Sequence, residues 1–166
     1  MLLRDLPPDE NGLVTTMAKG VNDLLNYYIQ VADAKASIMI AGTVASATFL
    51  LTSFPSQWSA RLLFVMAASG LVVSLALAIW VVIPRLPKNT GQGSVFWGDI
   101  ANCPSASEYR DRFSAAATNG LLDDEYCILN YQTAIIVRSK INLLRKSILF
   151  FLWGILMAIP HHLLQS

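Results

Sequence analysis

Charge is scarce in this chain of 166 residues: Asp, Glu, Lys and Arg make up only 14% of it, against roughly 25% in a soluble domain. That depletion argues against a soluble cytosolic enzyme. The charges present nearly balance, 12 Lys+Arg against 11 Asp+Glu. No basic excess points to a nucleic acid polymer as partner. Histidine is limited to His161 and His162 near the end of the chain. A His triad, an HExxH zinc site or a His general base therefore has no residue in the body of the protein. Cys103 and Cys127 lack CxxC spacing, so neither zinc nor a disulfide is expected. Gly91-Gln92-Gly93 has no preceding strand and no Walker lysine, and is no phosphate loop. Met1 to Pro8 lacks the apolar core and cleavage site of a signal peptide. No internal repeat is evident, no cofactor or metal is expected, and the chain does not read as an enzyme.

Charge is missing altogether from three long runs. No charged residue occurs in the 25 positions between Lys35 and Arg61, the 23 between Arg61 and Arg85, or the 20 after Lys146. A helix needs roughly 20 apolar residues to cross about 30 Å of hydrocarbon. Within lipid each backbone N–H must find its partner inside its own segment, which selects helix. We place transmembrane helices at 36–54, 61–84 and 147–165. Small residues mark the first two, among them Gly42, Ala45, Ala67, Gly70 and Ser74, and allow close helix approach. The short Phe54–Ala60 connection makes those two spans antiparallel neighbours, or leaves their small faces to another protomer.

Basic residues set the orientation. Eleven of the twelve flank the spans on one side; Arg61 alone falls on the other. The N-terminus is expected in the cytoplasm and the C-terminus on the far side of the membrane. That leaves 1–35 and 85–146 in the cytosol. Residues 1–12 read as loose. Val21, Leu24, Leu25, Tyr28 and Ala32 have helical spacing, and neither Pro nor Gly separates them from the first span. Asn119-Gly120 before Asp123-Asp124-Glu125 reads as a helix start with acids at the dipole's positive end. That acidic run suits a solvated helix terminus better than a metal site. The helix it opens should run about 40 residues, roughly 60 Å. Ser105-Ala106-Ser107-Glu108 has the form of a capping box opening a short helix to about Ala117. Ser94 to Ile100 reads as an extended or turn-like aromatic insertion. The expected fold is an all-α membrane protein with three transmembrane helices. Its first and last helices extend into a small cytosolic helical bundle.

Several residues suit binding. Lys35, Arg145 and Lys146 sit where lysine and arginine snorkel to lipid head groups. Asp33 is poorly placed for anionic lipid, and an ion pair with Lys140 or Arg138 on the last helix would account for it. Phe96 and Trp97 with Asp99 form an aromatic turn, suited to stacking or to plugging the bundle.

Leu24-Leu25-Asn26-Tyr27-Tyr28-Ile29-Gln30-Val31-Ala32-Asp33-Ala34-Lys35-Ala36-Ser37 resembles the opening signature of the Pycsar membrane effectors, an I-x-x-A-D-x-K-A-S run leading into the first span. Phe96-Trp97-Gly98-Asp99-Ile100 is similar to that family's central aromatic F-G-D stretch, and Ile135 to Arg145 to its Lys-bearing helix. The resemblance implies an anti-phage effector. It would sense cyclic CMP or cyclic UMP made by a partner pyrimidine cyclase, then disrupt the inner membrane in abortive infection. It also implies ligand contacts drawn from Asp33, Lys35, Phe96, Trp97, Asp99, Arg138 and Lys140, in a site between the two long helices of a homo-oligomer. The alternatives are an effector gated by a cyclic oligonucleotide or a protein, and a structural subunit of a membrane complex. An intramembrane enzyme is the weakest, since the spans carry no charged residue.

Overall fold

The computed structural model describes residues 8–52, 54–55, 57–87 and 93–163, with side chains described between residues 12 and 161. The expectations for residues 1–7, for the 88–92 part of the linker and for the 164–166 tail lie outside the described residues. The described residues are about 86% helical and none of them is in a strand. Its helices are α1 (Pro8–Leu51), α2 (Trp58–Val82), α3 (Trp97–Ala101), α4 (Ala106–Thr118) and α5 (Leu122–Leu163). Three are long and apolar enough to cross a membrane, over Gly12–Leu51, Trp58–Val82 and Leu122–His161. The first and last of these are 40 residues each, about twice what the hydrocarbon needs at ~1.5 Å per residue. This is an all-α membrane protein.

Two local expectations need correction. Residues 8–12 are helical rather than loose, and Pro8 stands first in α1, where its fixed φ suits a helix start and its missing N–H costs nothing. Residues 97–101 form the short helix α3 where an extended or turn-like stretch is expected. The Phe96 carbonyl starts it by accepting from both the Asp99 and Ile100 amides at 3.0 Å.

The chain divides into two compact units. One gathers residues 1–28 and 85–137, and we call it the head. In the head, α1 meets α5 through a polar seam. The Thr15 hydroxyl donates to Asp123, Asn22 Nδ2 donates to Asn130 Oδ1 at 3.0 Å, and Asn130 Nδ2 to the Ala18 carbonyl at 2.8 Å. Helix α4 opens on the expected cap, with Ser105 Oγ accepting from the Glu108 amide at 3.2 Å. Glu108 also holds Arg112 at 2.5 Å, and that hydrogen bond raises the guanidinium above its ordinary value. Helix α4 ends in a Schellman turn. Gly120 takes φ +66°, and the Leu121 amide reaches back to the Ala116 carbonyl at 2.9 Å. Glycine suits that left-handed position because it has no Cβ.

The other unit, residues 29–84 and 138–166, holds the spans. Its core follows a seven-residue repeat. Helix α2 buries Ala60, Ala67, Ser74 and Val81; α5 buries Lys140, Ser147, Gly154 and His161. Running antiparallel, these positions meet pair by pair. His161 Nδ1 lies 3.1 Å from the Ala60 carbonyl. Gly154 faces Ala67 and Gly70 so closely that a Cβ on Gly70 would lie 3.0 Å from the Gly154 backbone. The Ser74 and Ser147 hydroxyls each donate to the other's carbonyl at 2.9 Å. Lys140 Nζ donates to the Val81 carbonyl at 2.5 Å. Helix α1 adds Ala36, Thr43 and Leu50 at the same interval, all buried. A repeat of seven is the packing period of left-handed helix bundles. Small residues at the α2–α5 contacts let backbones approach where lipid removes the hydrophobic incentive to associate.

Candidate functional site: an aromatic cavity and a buried ion pair

The head carries a cavity built by the turn before α3. Ser94 is fixed first: its amide and hydroxyl both donate to Glu125 Oε2, at 2.8 and 2.9 Å. Its carbonyl accepts from the Tyr109 hydroxyl at 3.3 Å. Held at that point, the chain turns Phe96 back over Gly98, where any Cβ would fall 2.6 Å from the Phe96 ring. Trp97 stands beside Phe96 with ring centroids 5.6 Å apart, and it is 59% exposed. Asp99 is buried. Phe96, Asp99, Glu125, Leu129 and Gln132 line a cavity of about 60 Å³ with Val95. It adjoins an open apolar trough of about 640 Å³ along α5, past Ile128, Tyr131 and Ile135.

This lining has a definite chemistry. It offers one aromatic ring, two carboxylates and one side-chain amide, and no Lys or Arg is among its described residues. Carboxylates accept hydrogen bonds when ionised, and an amide both donates and accepts. Such a wall suits a planar ring with amine or amide edges better than it suits a phosphate.

The span unit carries the remaining sequence candidates. Lys140 is the largest fully buried side chain among the described residues. Its ammonium lies 2.6 Å from Asp33 Oδ1, so α5 and α1 are joined by the ion pair expected of Asp33. The same ammonium donates to the Val81 carbonyl, one of the last four of α2, which have no partner inside their own helix. A cation there also opposes the negative end of the helix dipole. One lysine thus joins all three spans. Lys35 and Arg138 are exposed.

Of the seven candidates, the structure pairs Asp33 with Lys140 and groups Phe96, Trp97 and Asp99 in the head. Lys140 faces protein on every side, which makes it a joint rather than an open contact. Sequence reasoning missed Glu125 and Gln132 as lining residues, and missed the Val81 carbonyl. Glu125 could have been noticed as an acid with more neighbours than a helix start requires; a backbone acceptor leaves no sequence signal.

The profile described as the Pycsar effector protein domain matches residues 17–164 of the chain. No curated protein matches the chain. No solved structure matches it either.

Proposed function

Because the chain belongs to the Pycsar effector family, and is thus an anti-phage effector of a membrane, we propose that a cyclic pyrimidine mononucleotide switches it on. Cyclic CMP or cyclic UMP is released in the cytosol by the partner cyclase, and the liganded protein then breaches the inner membrane and ends the infection. The observation that carries this is the extent of the match, which takes in most of the head as well as the spans.

The cavity beside Phe96 takes the pyrimidine, with the Phe96 or Trp97 ring against its face and Asp99, Glu125 and Gln132 at its edge. Lys35 and Arg138, the other cationic sequence candidates, belong to the span unit and are exposed. The ligand acts by favouring the active arrangement over the resting one, which requires a difference in affinity between them. The head faces the cytosol, where the cyclase product accumulates, and the basic residues flanking the spans hold it there. This reading calls for no cofactor and no reaction, in keeping with a family that is not a known enzyme class.

Thermal unfolding of the detergent-purified protein tests the sensor directly. We expect cyclic CMP or cyclic UMP to raise the midpoint, because a ligand at 100 times its Kd stabilises the folded state by about 2.7 kcal/mol. Cyclic AMP and a cyclic dinucleotide should leave it unchanged. If none of the four moves the midpoint at millimolar concentration, the nucleotide reading fails. A protein partner would then be favoured by the apolar trough that Ile128, Tyr131 and Ile135 leave open.

A further inference from the structure

The part of α1 inside the head has three faces, and one of them meets no partner among the described residues. Thr15, Ala18 and Asn22 turn toward α5, where all three take part in the polar seam. Thr16, Lys19, Asp23 and Asn26 are exposed and polar, and form the solvated face. Between them runs a stripe at Val14, Met17, Val21, Leu24 and Tyr28, spaced alternately by three and four. Its last four members are 45% to 63% exposed. Apolar residues at this spacing are the a and d positions of a coiled coil, and the polar residues beside them fall at c and f. The helix therefore turns polar and small residues to its own chain and its apolar stripe away from it.

We propose that this stripe packs against the same stripe of a second copy of the chain, as a parallel, in-register coiled coil of α1 helices. Helix α1 is one continuous helix from Pro8 to Leu51, and its later part is a membrane span. Every copy inserted with the same orientation therefore presents its stripe in the same direction and at the same height. That is the register a parallel coiled coil needs. A shared bilayer also confines the copies, which raises their effective concentration as tethering does. The exposed stripe compares with the ~300–600 Å² of the largest apolar patch on a typical monomer. Two such faces bury on the order of 1,000 Å², the lower bound for a specific interface. Lipid is a poor occupant, because Lys19, Asp23 and Asn26 lie on the same turns.

Cysteine cross-linking in native membranes, without nucleotide, tests this independently of the ligand. In a Cys103→Ser, Cys127→Ser background, Val21→Cys and Leu24→Cys occupy the stripe, whereas Asp23→Cys and Asn26→Cys occupy the solvated face. We expect oxidation to link stripe positions between copies roughly ten-fold more than the controls, since a disulfide needs Cα atoms within about 7 Å. Equal yields at all four positions, or no dimer at any, would overturn the proposal. So would stripe cysteines that remain uncrosslinked and react only with a lipid-soluble maleimide, which would assign the face to lipid. As a second measurement, Val21→Glu with Leu24→Glu should lower the particle mass by light scattering with helical content retained. An unchanged mass would contradict the proposal.

Discussion

Asp33→Ala should destabilise the protein more than Lys140→Met, although Lys140 is the larger and deeper side chain. The reason is which group each change strands. Lys140 has 2% of its side chain exposed, whereas Asp33 keeps 34%. Removing Asp33 leaves an ammonium among protein atoms with the Val81 carbonyl as its recorded acceptor. Breaking a buried pair from one side costs about 3–5 kcal/mol, and water admitted where Asp33 stood places this case near 3. Lys140→Met instead leaves a carboxylate that water can reach, and fills the buried space with an apolar chain of similar length. Its cost is the orphaned Val81 carbonyl, about 1–3 kcal/mol, partly offset by lost desolvation. Exchanging the two charges should not restore stability, because an aspartate at 140 would face the Val81 carbonyl with no proton to give. Unfolding of the purified variants in a detergent series would rank them. The reverse order would show that the pair contributes little and that Lys140 acts through packing.

Three glycines of the spans should respond in three different ways to the same added methyl group. At Gly70 the new Cβ meets the Gly154 Cα and N at 3.0 Å and the Phe150 carbonyl at 3.1 Å. All three are backbone atoms, so one helix must move. Overpacking of this kind costs roughly 1–3 kcal/mol. Replacing a helical glycine by alanine returns up to about 1 kcal/mol, so Gly70→Ala should lose 1 to 2 net. Larger side chains there should prevent α2 and α5 from docking at all. At Gly154 the Cβ meets Cγ and Cδ2 of the buried Leu71 at 3.0 Å and the Ala67 carbonyl at 3.2 Å; a side chain yields more readily than backbone, so Gly154→Ala should lose less than Gly70→Ala. At Gly42 nothing lies within 4 Å, and Gly42→Ala should stabilise. The same unfolding assay reads all three. Equal effects at Gly42 and Gly70 would mean that the glycine crossing of α2 and α5 does not form.

The spans were legible because lipid imposes a single rule, no charge over some 20 residues, and this chain obeys it three times. The long helices were legible because neither Pro nor Gly interrupts Val21 to Lys35, and only Gly154 interrupts α5 before Pro160. The α4 cap and the Asp33–Lys140 pair were legible too, each as a side chain whose chemistry calls for a partner. What escaped depends on placement. Small residues on α2 suggested close approach but named no partner. The partner is α5, through Ser147 and Gly154, whose spacing from Lys140 and His161 repeats every seven residues. A pairing of serine, glycine and alanine leaves no charge or bulk to betray it. The turn at Phe96 escaped for a similar reason: Glu125, 31 residues away, fixes Ser94, while its own neighbours suggest only a helix start.

Leakage of a trapped dye from proteoliposomes tests the central claim most directly, because it joins ligand to membrane in one readout. With the purified protein in vesicles of inner-membrane lipid, one cyclic pyrimidine mononucleotide should release the dye. Cyclic AMP should not, and vesicles without protein should stay sealed. Leakage that ignores the nucleotide, or intact vesicles under a nucleotide that demonstrably binds, would contradict the account.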